Sequence, residues 1–182
     1  MKRLLNIAIA SAVLLTAFGA AAQQNRPSPP GVTGQVIDGA RVTVYYARPN
    51  TKKAGSDEAR KIWGGLVPYG KVWRTGANEA TLLTVQKPVV IAGTTVPAGA
   101  YTLFTLPLED GSAKLIINKQ VGQWGTQYDE KQDLARIDLK KDTLEKPVEQ
   151  FTMAIERNPD GGGLLKMMWE NTQFSVPFTV QK

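Results

Sequence analysis

The side chains best suited to chemistry lie in residues 62–81, which read IWGGLVPYGKVWRTGANEAT. This stretch interleaves aromatic, charged and amide side chains with glycines, a composition that suits neither a buried strand nor a helix. It favours a rigid surface loop whose polar side chains are held in place by backbone turns. The candidates for ligand contact in this stretch are Tyr69, Lys71, Trp73, Arg74, Asn78 and Glu79.

A second irregular stretch covers residues 121–133 and contributes Trp124, Tyr128 and Asp129 as further candidates. Both stretches leave the alternating pattern of a strand, so their backbone groups need hydrogen-bond partners other than a neighbouring strand. Asn78, Glu79 and the amide and carboxylate side chains of the second stretch can supply those partners. We therefore expect the two stretches to pack together at one end of the strands and to form one shared site.

Two of these candidates also have a purely structural interpretation. Trp73, like Trp63, could plug the end of a β-sandwich, and burial statistics favour that role for each tryptophan. Arg74 falls on the core side of an extended segment, where a guanidinium needs a carboxylate partner. Glu79 is the nearest one, so an Arg74–Glu79 ion pair that pins the loop is as well supported as a ligand contact.

Three classes of function remain open, and we rank a binding module first. Exposed aromatic rings can stack on a sugar, while Arg74, Asn78 and Glu79 supply hydrogen bonds to a glycan or another small envelope molecule. A structural envelope protein, with the first stretch as a folding staple, ranks second. A glycoside hydrolase or lyase ranks last; it would pair Glu79 with Asp129 or Glu130, or use Tyr69, Tyr128 or Lys71 as a base.

The composition restricts the chemistry, because the chain contains no histidine and no cysteine. Ser-His-Asp and Cys-His nucleophiles are excluded, as are nearly all zinc and copper sites. No cofactor and no transition metal are expected. Calcium held by Asn78, Glu79 or Asp129 is the one metal alternative that oxygen ligands allow.

The N-terminus predicts export. Lys2 and Arg3 precede an apolar run over residues 4–18, and Ala20 to Ala22 supply a small-residue cleavage site. We expect residues 1–22 to be a signal peptide cleaved after Ala22, which leaves a periplasmic or secreted protein with no membrane span. The formal net charge of +6 comes without a clustered basic motif, so nucleic acid is not an expected partner. The oligomeric state stays open.

Alternating apolar and polar residues recur between turn signals from Arg41 to Val180. They predict nine or ten short strands and at most short helical turns, in a single antiparallel β-sandwich over residues 41–182. A barrel is the alternative. Residues 23–40 begin with a stretch rich in Pro, Gly, Ser and Asn and are predicted to be a flexible lead-in. Hairpin links between residues 81 and 118 predict that those strands are antiparallel neighbours.

Three motifs resemble those of one family: GKVWRTGANEAT at residues 70–81, GQWG at 122–125 with Tyr128 and Asp129 after it, and Trp169-Glu170. The chain is similar over about residues 41–180 to an exported bacterial family catalogued as a domain of unknown function, family 2911 of that series. The resemblance implies export, and it implies no activity because the family has none established.

Overall fold

Strands dominate the part of the chain that the computed structural model describes, residues 26–181. The single helical element there is a turn of 3₁₀ helix at Glu130–Gln132. The predicted signal peptide lies outside the described residues. In chain order the strands are β1 (Pro30–Ile37), β2 (Ala40–Ala47), β3 (Thr81–Val85), β4 (Val89–Ile91), β5 (Thr94–Val96), β6 (Gly99–Pro107), β7 (Ala113–Asn118), β8 (Asp133–Arg157) and β9 (Gly163–Val180).

The nine strands form one sheet in the order β1-β2-β3-β6-β7-β8-β9-β4-β5. Every pairing is antiparallel. The long β8 links two parts of this sheet, because residues 133–139 pair with β7 and residues 140–157 pair with β9. Its register shifts on either side of Val148, as expected where a strand bends. The predicted all-β antiparallel class is confirmed.

One hydrophobic core joins the two parts of the sheet. Val44 of β2, Leu103 of β6 and Leu115 of β7 are fully buried, and they belong to the same cluster as Trp169 of β9 and Phe151 of β8. Alternate residues of each strand supply these contacts, as a pleated strand requires. A core shared between the two parts is consistent with the predicted sandwich.

Side chains of the first two strands satisfy the free edge of β8. The Tyr46 hydroxyl accepts from the Met153 N–H at 3.0 Å, and Thr33 Oγ1 accepts from the Ile155 N–H at 3.2 Å. The Phe151 N–H donates to the Pro49 carbonyl at 2.8 Å. The part of β8 that β7 does not reach would otherwise present unpaired backbone groups, and these contacts pair some of them.

The flexible lead-in predicted for residues 23–40 is corrected, because residues 30–37 form β1. This strand pairs with β2 over its whole length, from Pro30–Ala47 to Ile37–Ala40. Only Ile37 is buried in it, so the apolar alternation that marks a strand in sequence is weak here. Backbone pairing, rather than burial of its side chains, holds β1.

The hairpin links between residues 81 and 118 predicted the wrong neighbours for two strands. β3 pairs with β2 and β6, whereas the β4–β5 hairpin lies beside β9 at the other end of the sheet. Val89 and Ile91 are buried there against the shared core, and a short link places no limit on which strand a hairpin joins. The β4–β5 and β6–β7 pairings are as predicted.

Candidate functional site

The 70–81 motif begins as an extension of the sheet and ends as a tight loop. Trp73 and Thr105 of β6 exchange two backbone hydrogen bonds of 2.8 Å, so the chain first runs beside β6. It then leaves the sheet through residues with positive φ, 51° at Thr75 and 60° at Asn78. Such angles are uncommon for residues other than glycine and persist where the surroundings impose them.

Buried threonines impose this conformation. Thr81 Oγ1 donates to the Thr75 carbonyl at 2.7 Å, and the Thr75 and Thr105 hydroxyls are 2.8 Å apart. Gly76 has φ +148°, and a Cβ there would lie 2.8 Å from the Ala47 carbonyl oxygen. Much of the motif is therefore explained by the folding of the loop itself.

Trp73 is partly buried and packs against the aromatic part of the core. Its ring stacks on Trp169 at 5.7 Å and meets Phe151 at 5.1 Å and Trp63 at 6.1 Å, both edge to face. Trp73 does not line the cleft described below. The structure therefore supports the plug interpretation for Trp73 over the ligand contact.

The two irregular stretches meet, as expected. The Ala80 N–H donates to the Gln123 carbonyl at 3.2 Å, and the Gly125 N–H donates to the Asn78 carbonyl at 3.0 Å. A Cβ on Gly125 would lie 2.8 Å from both Arg74 Cβ and the Asn78 carbonyl oxygen. Glycine is thus the residue that permits the close approach of the two backbones.

They meet beside the start of β3, at one end of the strands, and from there spread over the sheet. Ala80 packs with Phe104 and Ile116 in a small second cluster, and Tyr128 lies against Phe104 with its ring 4.8 Å away. Phe104 and Ile116 are register partners of β6 and β7, and they alternate with residues of the main core. The two stretches therefore cover the outer face of the sheet.

The Arg74–Glu79 ion pair, one of the two interpretations of Arg74, is not formed. Glu79 instead pairs with Arg26, whose Nη1 donates to its carboxylate at 2.6 Å. Within residues 26–181, Arg74 forms no ion pair, and its alkyl chain passes over Gly125. A half-buried arginine can remain stable this way, because its stem packs while its head reaches water.

A cleft of about 1050 Å³ opens between the N-terminal segment and the place where the two stretches meet. Arg26 and residues 28–31 form one wall, Gly122 and Gln123 lie in another, and Asn78 and Glu79 belong to the rim. Residues of β2 and β3 complete the lining: Tyr45, Tyr46, Ala47 and Leu82. We call this space the N-terminal cleft.

Several polar groups around this cleft can form further hydrogen bonds. The Arg26 guanidinium lowers the pKa of Glu79 by its hydrogen bond, so the carboxylate is charged at neutral pH. Asn78 Nδ2 donates to the Ser28 carbonyl at 3.2 Å, which leaves Asn78 Oδ1 as an acceptor. Tyr45 is half exposed, and Gln123 Oε1 is buried without a partner among residues 26–181.

Of the nine predicted ligand contacts, Asn78 and Glu79 line the cleft. Tyr69 covers Gly64, Lys71 is exposed, and Trp124 is 45% exposed beyond the lining. Tyr128 and Asp129 serve the second stretch itself. The Tyr128 hydroxyl donates to Asp133 at 2.6 Å, and Asp129 accepts from the Lys131 N–H at the start of the 3₁₀ turn.

The lyase alternative loses one of its candidate bases. Burial, followed by the hydrogen bond to Asp133, raises the pKa of Tyr128 to about 12. Its phenol is therefore harder to deprotonate than that of an ordinary tyrosine, which disfavours Tyr128 as a base. Over residues 26–181, no three carboxylates come together in a way that could hold a metal ion.

Sequence reasoning missed Arg26, Tyr45 and Leu82 as lining residues. Tyr45 had a usable signal, because it alternates with the buried Val44 and Tyr46 and must face outward. Arg26 lies 53 residues before its partner Glu79, so nothing local connects the two.

Residues 26–181 contain no helix that could cross a membrane.

Comparison with protein families gives a match that extends over residues 28–178. The chain belongs to the family described as "Protein of unknown function (DUF2911)". The matched region reaches all nine strands and all but the Arg26 end of the cleft lining. Comparisons with curated proteins and with solved structures gave no match.

The Arg26–Glu79 ion pair should hold the N-terminal wall of the cleft in place, and its strength should depend on pH. The pKa of Glu79 is lower in the folded protein than in the unfolded chain. The ion pair therefore contributes to the free energy of unfolding at pH values above the ordinary carboxyl pKa, and this contribution is lost as the pH falls through the folded-state pKa. We expect Glu79→Gln to release residues 26–28 while lowering the free energy of unfolding by less than about 1 kcal/mol, since the pair is exposed. Amide and Arg26 side-chain NMR shifts, followed from neutral pH to about pH 3, measure the release.

Glu130→Gln provides the matched control, because Glu130 also forms an exposed ion pair, with Arg136, away from the cleft. It should leave the Arg26 shifts unchanged. If the Arg26 NMR shifts were the same in Glu79→Gln and in the unmodified protein, the ion pair would not hold the N-terminal wall.

Proposed function

We propose that this protein is an exported binding module of the bacterial envelope and that its N-terminal cleft binds a glycan or another small envelope saccharide. One observation carries the proposal: a cleft of about 1050 Å³ combines a half-exposed tyrosine with a polar rim. Ligand sites commonly pair apolar and aromatic walls with a few placed polar groups. Export rests on the sequence of residues 1–22.

A saccharide matches this lining chemically. Its C–H face can lie on the exposed ring of Tyr45, which gives a large contact at little conformational cost. Its hydroxyls can donate to Glu79 or Asn78 Oδ1 and accept from Arg26. Charged partners make the stronger of these hydrogen bonds.

The lining argues for binding over hydrolysis. Glycoside hydrolysis needs two carboxyl groups, one of them with a raised pKa. Glu79 is the one carboxylate among the described residues that line the cleft, and its pKa is lowered. Asp129 and Glu130 lie in the second stretch outside the lining, where Glu130 pairs with Arg136.

A folding staple is the second candidate, and the buried threonine network favours it for part of the motif. Thr75, Thr81 and Thr105 are at most 1% exposed and bonded to one another. The two roles divide the motif, because residues 73–76 secure the loop and residues 78–79 reach the cleft.

Binding can be tested on the chain that begins at Gln23. We expect at least one neutral saccharide, from a panel of glycan and peptidoglycan fragments, to raise the melting temperature and to bind in calorimetry. Tyr45→Ala should weaken that binding by about tenfold or more, which corresponds to about 1.4 kcal/mol. Tyr69→Ala removes an exposed tyrosine outside the lining and should leave the affinity unchanged. Absence of binding across the panel, or equal losses in both variants, would contradict the proposal.

A further inference from the structure

We infer that the end of the β1–β2 hairpin docks on the surface of a membrane that contains anionic lipids. Saccharide binding in the cleft is not required for this docking. The hairpin brings three cations and two exposed valines together, and we call these five residues the hairpin face: Val32, Val36, Arg41, Lys87 and Arg157.

The three cations surround the end of the hairpin although they come from three parts of the chain. Val36 and Arg41 are register partners, and Arg157 Nη2 donates to the Val36 carbonyl at 3.1 Å. Lys87 Nζ lies 3.7 Å from the position that a Cβ on Gly39 would take, in the turn of the hairpin. An arginine from β2, a lysine after β3 and an arginine at the end of β8 therefore meet at one place.

These cations are available to an anionic partner. All three side chains belong to exposed residues, and none forms an ion pair within residues 26–181. Asp38 in the turn is the one acidic residue of the hairpin, so positive charge is in excess there. A local excess of positive charge attracts anionic surfaces.

The valines favour a bilayer over a soluble polyanion. Val32 and Val36 lie on the same face of β1, because they are four residues apart on a strand, and Arg41 lies directly across from Val36. The two valines are 63% and 39% exposed. Exposed aliphatic groups flanked by cations match the boundary between anionic headgroups and acyl chains. A phosphate polymer could pair with the cations but would leave the valines in water.

The hairpin face continues into the cleft. Tyr45 is the register partner of Val32, lies on the same face of the sheet and is half exposed. A tyrosine ring suits the headgroup boundary of a bilayer, and Tyr45 also lines the N-terminal cleft. Docking through the hairpin face would therefore place the cleft at the membrane surface.

Co-sedimentation of the chain from Gln23 with lipid vesicles tests the docking. Vesicles of equal parts phosphatidylglycerol and phosphatidylcholine should bind the unmodified protein at least about tenfold more tightly than vesicles of phosphatidylcholine alone. High salt should weaken this binding, because it screens exposed charges. Equal binding to both kinds of vesicle, or binding to neither, would overturn the inference.

Two triple variants distinguish docking through this face from an effect of net charge. The first replaces the three cations of the hairpin face by glutamine and should weaken binding to the anionic vesicles about tenfold or more. The second removes an equal charge from exposed lysines elsewhere and should weaken binding much less: Lys71→Gln, Lys119→Gln and Lys131→Gln. Both should remain folded, since the replaced side chains are exposed. Equal losses in the two variants would overturn the assignment to the hairpin face.

The double variant Val32→Thr/Val36→Thr tests the apolar contact at unchanged charge and nearly unchanged size. It should weaken binding to the anionic vesicles about threefold or more. Val121→Thr, which alters an exposed valine of the second stretch, should leave the binding unchanged. If the double variant bound the vesicles as tightly as the unmodified protein, the cations alone would hold the anion, and the inference of a bilayer would be wrong.

Discussion

Replacing Trp73 by alanine should lower the free energy of unfolding by about 3 kcal/mol, the lower end of the range for removing a large aromatic side chain from a core, because Trp73 is only partly buried. The lost contacts are those of its ring with Trp63, Phe151 and Trp169. Chemical denaturation followed by far-UV circular dichroism measures the change.

Trp124→Ala provides the comparison within the other motif. Trp124 is 45% exposed, so its loss should change the free energy of unfolding by less than about 1 kcal/mol. Equal costs for the two tryptophans would contradict the core assignment of Trp73. A loss of saccharide binding in Trp124→Ala would show that the site extends beyond the cleft.

Gly125→Ala should lower the free energy of unfolding by about 1–3 kcal/mol, the cost of overpacking a tight contact. The added Cβ would lie 2.8 Å from Arg74 Cβ and from the Asn78 carbonyl oxygen. One of the two stretches must move, and the Gly125–Asn78 backbone hydrogen bond of 3.0 Å is then strained or lost. Thermal denaturation measures the stability, and NMR shifts of Asn78 and Glu79 measure the movement.

Gly122→Asn is the control in the same loop. Gly122 has φ +83°. Apart from Gly122 and its two neighbours in the chain, no atom of residues 26–181 lies within 4 Å of the position that a Cβ would take. Asparagine tolerates that conformation at a cost of about 1 kcal/mol or less. A stability loss in Gly125→Ala no larger than in Gly122→Asn would contradict the close packing of the two stretches.

The strands of the core could be predicted because their side chains alternate between core and surface. β1 could not, since Ile37 is its one buried residue, so no row of apolar side chains marks a core face in its sequence. The separate short strands expected after residue 133 are the bent β8 and β9. Bulges around Val148 bend β8 without interrupting it, and sequence alternation does not distinguish a bend from a break.

The packing of the two stretches could be predicted from unsatisfied backbone groups, which is a local requirement. The partner of Glu79 could not, because Arg74 is five positions away in sequence whereas Arg26 comes from the far side of β1 and β2. Sheet order, not distance along the chain, decides which charges meet. For the same reason the cleft uses Tyr45, on an ordinary strand, as well as residues of the conspicuous motif.

The most direct test of the binding cleft is an NMR titration of the isotope-labelled chain from Gln23 with the best saccharide from the panel. We predict amide shift changes confined to the non-proline residues of the lining, in Arg26, Ser28, Gly31, Leu82 and residues 45–47, 78–80 and 122–123. Shift changes centred on Trp124, Tyr128 and Asp129, or no changes with any saccharide, would contradict it.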